Sequence, residues 1–263
     1  MFFLFYIMIG VFSGFLAGLL GIGGGTILVP GLLFAFSHAG LPTQLQMHLA
    51  TSTALASIIF SSMVSVYHQQ RSLSINWFLF RQLAPGMIIG IVAGAFIALL
   101  LSTHFLKLLF SLFLFSVAFK ILLNKHRPVK KEIISLTPIK KGVVGFSIGV
   151  ISGLLGIGGG AIALPIFLRL GLSTHHAIAT SSACVLLLST MGAITFTLTG
   201  LHAQNLPTGS GGFVYWPAVI GVSVGSVLIV PVGSRLGKRI AGHRLRKIFA
   251  LFLLVVGITM LIP

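Results

Sequence analysis

A single acidic residue, Glu132, stands against 17 lysines and arginines in this chain. That scarcity removes several kinds of chemistry at once, because acid and base catalysis by paired carboxylates, hard-cation ligation and intramembrane acidic proton relays all need Asp or Glu. Cysteine is equally rare. Cys184 has no partner, which excludes an intramolecular disulfide and a thiolate metal cluster and leaves it the role of a small buried apolar side chain. Charged residues are only 7% of the chain, against about 25% in an ordinary soluble domain. From such a residue set neither a metal nor a cofactor is expected.

What is present is apolar surface. Hydrophobic residues make up 56% of the chain and the mean hydropathy is +1.12. The stretches Gly86 to Leu101, Leu106 to Leu123 and Ile248 to Ile262 carry almost no charge, and about 20 mostly apolar residues suffice to cross a bilayer as a helix. These stretches predict transmembrane helices, with the lipid bilayer as the first partner. A formal charge of +16 would point to nucleic acid in a soluble protein. Here the basic residues sit at the ends of apolar segments and in two clusters between them, as membrane anchors do. No basic element interleaves aromatics as single-strand binding requires, so nucleic acid is not expected as a partner. Met1 to Gly10 lacks a positive n-region and reads as part of the first helix rather than as a cleaved signal.

The chain repeats itself. Gly18-Leu-Leu-Gly-Ile-Gly-Gly-Gly-Thr-Ile-Leu-Val-Pro30 is matched by Gly153-Leu-Leu-Gly-Ile-Gly-Gly-Gly-Ala-Ile-Ala-Leu-Pro165, ten of thirteen positions being identical at an offset of 135. The same offset aligns Gly10, Gly14 and Gly18 with Gly145, Gly149 and Gly153. Ala50-Thr51-Ser52-Thr53-Ala54 corresponds to Ala179-Thr180-Ser181-Ser182-Ala183, Pro85 to Gly94 resembles Pro217 to Gly225, and Leu106 to Leu122 aligns with Leu245 to Leu261. The expected organisation is a first transmembrane repeat over residues 1–123, a basic linker over 124–141 and a second repeat over 142–263.

Charge decides how the copies face. If the glycine-broken first segment crossed once, each half would have four crossings, the copies would be parallel, and the linker and the cluster Arg235, Lys238, Arg239, Arg244, Arg246 and Lys247 would lie on opposite sides, against the positive-inside tendency. If that segment is instead a hairpin about Gly21 to Gly25, each half makes an odd number of crossings and the copies are inverted. Then 16 of the 17 Lys and Arg fall on the cytoplasmic side, Lys107 being the exception, and the uncharged loops Ser37 to Met47 and Gly200 to Phe213 lie outside with both termini. The fold expected is an all-α polytopic membrane protein of two inverted repeats, each of four to five helical segments with a glycine-broken hairpin. The short arms leave open ten full crossings or six with two re-entrant hairpins.

Gly156-Ile-Gly-Gly-Gly160 superficially contains a dinucleotide pattern, but the strand, following helix and acidic residue such a site needs are missing. In a membrane, three consecutive glycines break the helix and expose backbone N–H groups at the start of the next arm. Irregular backbone at membrane depth is tolerated where it lines a cavity or is buried in protein. Helix N-termini attract anions, and two breaks related by inverted symmetry are how secondary transporters build a midplane site. The bland alternative is that the glycines serve close helix packing. The candidate substrate-binding residues are Gly24, Gly25 and Thr26 with Gly159, Gly160 and Ala161, joined by the hydroxyls of Thr51, Ser52, Thr180 and Ser181. Those hydroxyls would suit an oxyanion, the competing use being bonds back to their own helices. His48, His175 and His176 lie near the same clusters and are the candidates for carrying a coupling proton.

The doubled glycine-rich hairpins ending in Pro30 and Pro165, each followed by an Ala-Thr-Ser helix start, resemble the sulfite exporter TauE/SafE family of membrane transporters over essentially the whole chain. The resemblance implies transport of sulfite, sulfonates or related sulfur-containing anions, usually outward, in a prokaryotic inner membrane. An anion channel through the same pore is the first alternative and a membrane enzyme a more distant one, disfavoured by the missing carboxylates. No P-loop is present, so active transport would draw on a gradient or a separate subunit. The exact anion, direction, coupling ion and oligomeric state are not legible here.

Overall fold

The computed structural model describes residues 2–20, 24–70, 74–123, 137–203, 205–239 and 243–261. Gly21 to Gly23, Arg71, the linker from Asn124 to Leu136 with Glu132, Gln204 and Pro263 lie outside these residues. The chain is almost wholly helical: α1 (Phe2–Leu20), α2 (Gly25–His38), α3 (Gln46–Gln70), α4 (Trp77–Leu100), α5 (Thr103–Leu123), α6 (Pro138–Leu155), α7 (Gly160–Arg169), α8 (Thr174–Gly200), α9 (Trp216–Arg239) and α10 (His243–Leu261). A two-residue pairing, β1 (Ser210–Gly211) with β2 (Val214–Tyr215), makes a hairpin across the end of the Gly200 to Phe213 segment, which the sequence predicts only as an uncharged loop. Local chemistry sets several ends. The Asn76 side chain accepts from Leu79 N–H and Ser173 is the N-cap of α8, while Pro138 opens α6, so that Lys140 and Lys141 belong to its first turn.

Among the described residues, six helices are long and apolar enough to cross a membrane: α3, α4, α5, α6, α8 and α9. The apolar windows of α3 and α8 are 72% and 67% buried and that of α5 only 28%, which puts α3 and α8 at the centre and α5 at the periphery. α5 packs with α10.

Two glycine ladders hold the remaining long helices to one another. Gly10, Gly14 and Gly18 lie directly on the backbone of Val222, Ser226 and Val230, and Gly86, Gly90 and Gly94 on that of Gly142, Phe146 and Val150, with no room for a β-carbon at any of the six. Small residues let membrane helices approach this closely and gain dispersion contacts where lipid offers no hydrophobic drive. Both sets of numbers rise together, so α1 runs parallel to α9 and α4 parallel to α6. The central pair runs the other way. The segment leaving α3 bonds the start of α8, Asn76 N–H donating to Thr180 Oγ1 at 3.0 Å, and the segment leaving α8 bonds the start of α3, Tyr215 N–H donating to Thr53 Oγ1 at 3.0 Å. α3 and α8, which carry the matched Ala-Thr-Ser strings, are therefore antiparallel.

One alignment made from sequence needs correction. Gly225 fits between Ile7 O and Val11 N as Gly86 fits between Gly142 O and Phe146 N, and 7 and 11 become 142 and 146 at the offset of 135. Gly86 thus answers Gly225, and Trp77 answers Trp216, each the first residue of its helix. The offset here is 139, whereas matching Pro85 to Pro217 gave 132. The error of seven residues is two helical turns, the slip a glycine pattern of helical period permits.

Candidate functional site

Both breaks turn on glycine in the left-handed region. Gly24 (φ 70°) is the N-cap of α2 and Gly159 (φ 77°) that of α7, and neither supplies a side-chain cap. Ile27 and Leu28 N–H return to Gly24 O at 3.0 Å each, and Ile162 and Ala163 N–H to Gly159 O at 3.1 and 2.9 Å. The N–H groups of Gly25, Thr26, Gly160 and Ala161 have no acceptor within the helix they start, and all four residues are buried. Each such end carries roughly half a positive charge of dipole.

The fold brings the breaks together. A β-carbon on Gly25 would sit 2.6 Å from Ile157 Cα, and one on Gly156 would sit 2.7 Å from Thr51 Cα. Gly158 rests against Ile58 and Val185, and Gly159 against Leu188. These partners lie at the middles of α3 and α8, so the second break sits halfway along the two central helices. Gly24, Gly25, Thr26, Thr51, Gly159, Gly160 and Ala161 therefore share one buried region around the two breaks.

The hydroxyls are less available than the sequence implied. Thr51 donates to His48 O (3.0 Å), Ser52 lies within reach of His48 O (2.7 Å), Leu49 O (3.1 Å) and Phe213 O, and Ser181 donates to Ile178 O (2.9 Å). A hydroxyl has one proton, so these donors are engaged by carbonyls. Thr180 is the acceptor for Asn76, toward the start of α8. The histidines are not gathered either. His48 is buried, its Nε2 3.1 Å from Ala98 O and its ring 5.8 Å from that of Phe213. His175 and His176 are exposed at the opposite end of the central pair, His176 Nδ1 2.7 Å from Ser74 O.

Ser152 was missed by sequence reading. It is fully buried, its carbonyl accepts Gly156 N–H at 2.9 Å, and its Cβ lies 3.7 Å from where a Gly159 side chain would begin. Its Oγ has no hydrogen-bond partner among the described residues. A buried hydroxyl left unpaired is costly, and this one sits one turn before the break that starts α7. The signal available in the sequence was its offset of 135 from Ala17, a polar residue where the first copy has a methyl group. Among the described residues no group of three His, Cys, Asp or Glu side chains is arranged to hold a metal ion.

Paired glycine breaks buried among apolar spans agree with the comparisons to known proteins. The profile of the family described as Sulfite exporter TauE/SafE matches residues 6–260. The chain belongs to the TauE/SafE family. It is 33% identical over 263 residues to a "Probable membrane transporter protein" of Haemophilus influenzae, covering 98% of each chain. A "Probable membrane transporter protein" of Methanocaldococcus jannaschii is 27% identical over 271 residues, covering 97% of this chain and 94% of that one. A "Sulfite exporter TauE/SafE family protein 2" of Arabidopsis thaliana is 32% identical over 85 residues, 32% of this chain and 19% of that one. No solved structure matches. This TauE/SafE chain is a multi-pass membrane transporter.

Proposed function

We propose that the chain is a secondary transporter that exports small sulfur-containing anions such as sulfite or organosulfonates across the cell inner membrane. The observation that carries this reading is the packing of the α2 N-terminus, at Gly25, against Ile157 in the second break, three residues before α7 starts at Gly160, beside the middles of the two most buried spans. Dipole ends and N–H groups with no acceptor in their own helix favour an anion there, and with Glu132 the only acid in the chain no carboxylate competes for them or compensates a cation. The substrate lies against the backbone that follows Gly24 and Gly159, beside Thr51, with Thr26 and Ser152 supplying side-chain contacts. Ser52, Thr180 and Ser181 contribute chiefly by holding α3 and α8 in place, and His48, His175 and His176 remain the candidates for proton coupling. Transport, rather than chemistry on the cargo, suits a chain this poor in catalytic side chains.

The two halves are inverted repeats in this reading, supported by the antiparallel central pair and by five helices in each half. The linker and the ends of α3, α5, α7 and α9 then face the cytoplasm, with both termini outside. Reporter fusions at Lys131 and Lys238 should both read cytoplasm, and opposite readings would sink the inverted arrangement. The functional test is counterflow in proteoliposomes with sulfite, thiosulfate, sulfate, sulfoacetate and taurine. Saturable exchange of at least one of these, concentrated by an imposed proton gradient or potential, is expected. Flux that never exceeds equilibrium would make the protein an anion channel, and saturable metal-cation flux would overturn the anion reading.

A further inference from the structure

Where α3 ends and α8 begins, a cavity of about 30 Å³ opens between α1, α3, α8 and α9. Five polar side chains from three helices line it: Ser65, His68 and Gln69 of α3, Ser182 of α8 and Ser234 of α9. Its α1 wall is Ala17 and Gly18, and Ala17 Cβ lies 3.2 Å from where a Gly24 side chain would begin. One methyl group therefore separates the cavity from the N-cap of α2. The volume is about that of a pair of waters. His68 is exposed and Gln69 half-buried, so the outer wall can yield to a larger guest.

The polarity is specific to this place. Gly18 packs on Val230 O and Ser234 N as Gly153 packs on Ile91 O and Ala95 N, so the matching region of the other half can be identified contact by contact. There Ser234 is answered by Ala95, Ser182 by Thr53, Ser65 by Ile194, His68 by Thr197 and Gln69 by Leu198. Thr53 and Ala95 are fully buried, and Thr53 is committed to Tyr215 N–H. Close helix packing needs no such cluster of hydroxyl, amide and imidazole groups, and a water-filled path for an oxyanion does.

We infer that the cleft lined by Ser65, His68, Gln69, Ser182 and Ser234 is a binding site for small oxyanions at the mouth through which they reach the helix breaks from the α3-end face. It deepens the anion-transport reading and rests on it. Ser65, Ser182 and Ser234 donate to Ser61 O (3.1 Å), Ile178 O (3.0 Å) and Pro231 O (2.9 Å), so each hydroxyl must turn from its own helix to hold the anion, and binding stays weak enough to release it past Ala17 toward Gly24.

The test uses thiols in a Cys184→Ala background, reconstituted in liposomes and probed with a membrane-impermeant maleimide. Ser182→Cys and Ser234→Cys should label from the α3-end face, labelling should slow in sulfoacetate but not in an equal concentration of chloride, and modification should block sulfoacetate counterflow. Ala95→Cys, the counterpart of Ser234→Cys, should stay unlabelled from that face. A His68→Gln and Gln69→Leu pair should weaken apparent sulfoacetate affinity about fivefold or more, as expected for lost hydrogen bonds to an anion, with unchanged size-exclusion behaviour. Counterflow that survives full labelling, or labelling indifferent to sulfoacetate, would overturn the cleft while leaving the transport reading intact. Absence of anion flux in the unmodified protein would overturn both.

Discussion

Two short segments occupy matching places in the halves and end them differently. Ser74, Ile75 and Asn76 precede α4, while Phe213, Val214 and Tyr215 precede α9. Asn76 turns its side chain onto Leu79 N–H and caps its helix. Tyr215 instead joins a cluster with Tyr6 (6.4 Å between ring centroids) and Phe36 (5.7 Å), and Phe213 is buried against Gly200 and His48. The depths differ as well. Asn76 reaches Thr180, whose sequence match is Thr51, yet Tyr215 reaches Thr53, two residues farther along α3, or about 3 Å deeper. The aromatic segment is packed against α1, α2 and α3, whereas Asn76 caps its own helix and bonds Thr180. The lesson is that two segments with equivalent backbone bonds to the central pair can differ in what their side chains cover.

The largest expected effect comes from removing the buried ring of Phe213. Phe213→Ala should destabilise the protein by about 3 kcal/mol, as truncation of buried aromatics does, lowering its melting temperature in detergent. It should also make a thiol at Ala95→Cys reactive from the hairpin side, whereas Ser74→Ala should do neither. Equal behaviour of the two variants would break the comparison.

A middling effect is expected at the pair Ser152 and Ala17, where the halves differ by one hydroxyl beside a break. Ser152→Ala should not lower stability and should raise the melting temperature slightly, since the buried hydroxyl has no protein partner among the described residues. Anion affinity should fall by about 1.5 kcal/mol, roughly tenfold, if that hydroxyl donates to a charged ligand. Adding Ala17→Ser should restore part of it. Counterflow titrations on the three proteins measure this, and an unaltered affinity in Ser152→Ala would remove Ser152 from the site.

The smallest effect concerns two of the bonds that cross between halves, those of Asn76 and Tyr215 N–H. Thr53→Val and Thr180→Val each delete one neutral hydrogen bond while preserving shape, so each should cost about 0.6 kcal/mol, the average for such bonds in membrane proteins. A markedly larger loss at Thr53 would locate extra stability in the hairpin side.

Much of this was readable in the chain. The duplicated Gly18 to Pro30 and Gly153 to Pro165 strings marked both breaks correctly, because a run of glycines cannot continue a helix and a matched pair marks matched places. Membership of the TauE/SafE family followed from the same residues. The Pro85 to Pro217 alignment failed because a small-residue pattern of helical period looks alike after a slip of two turns. How the hydroxyls are bonded was not readable, because sequence shows a donor and not the carbonyl beneath it: Thr51 and Ser52 lie within reach of His48 O.

The amino-acid sequence by itself determined that the chain spans a membrane, that a glycine-rich string recurs in it at an offset of 135, and that it holds almost no negative charge, since composition, repetition and the want of acids are properties of the list of residues. Only the tertiary structure decided that Gly25 meets Ile157, that the Ser152 hydroxyl has no partner among the described residues, and that Ser65, His68, Gln69, Ser182 and Ser234 line one cavity. The reason is physical. Contacts between residues more than a hundred positions apart depend on which helix faces pack and in what register, and small-residue ladders permit several registers that only the summed packing of the whole bundle tells apart.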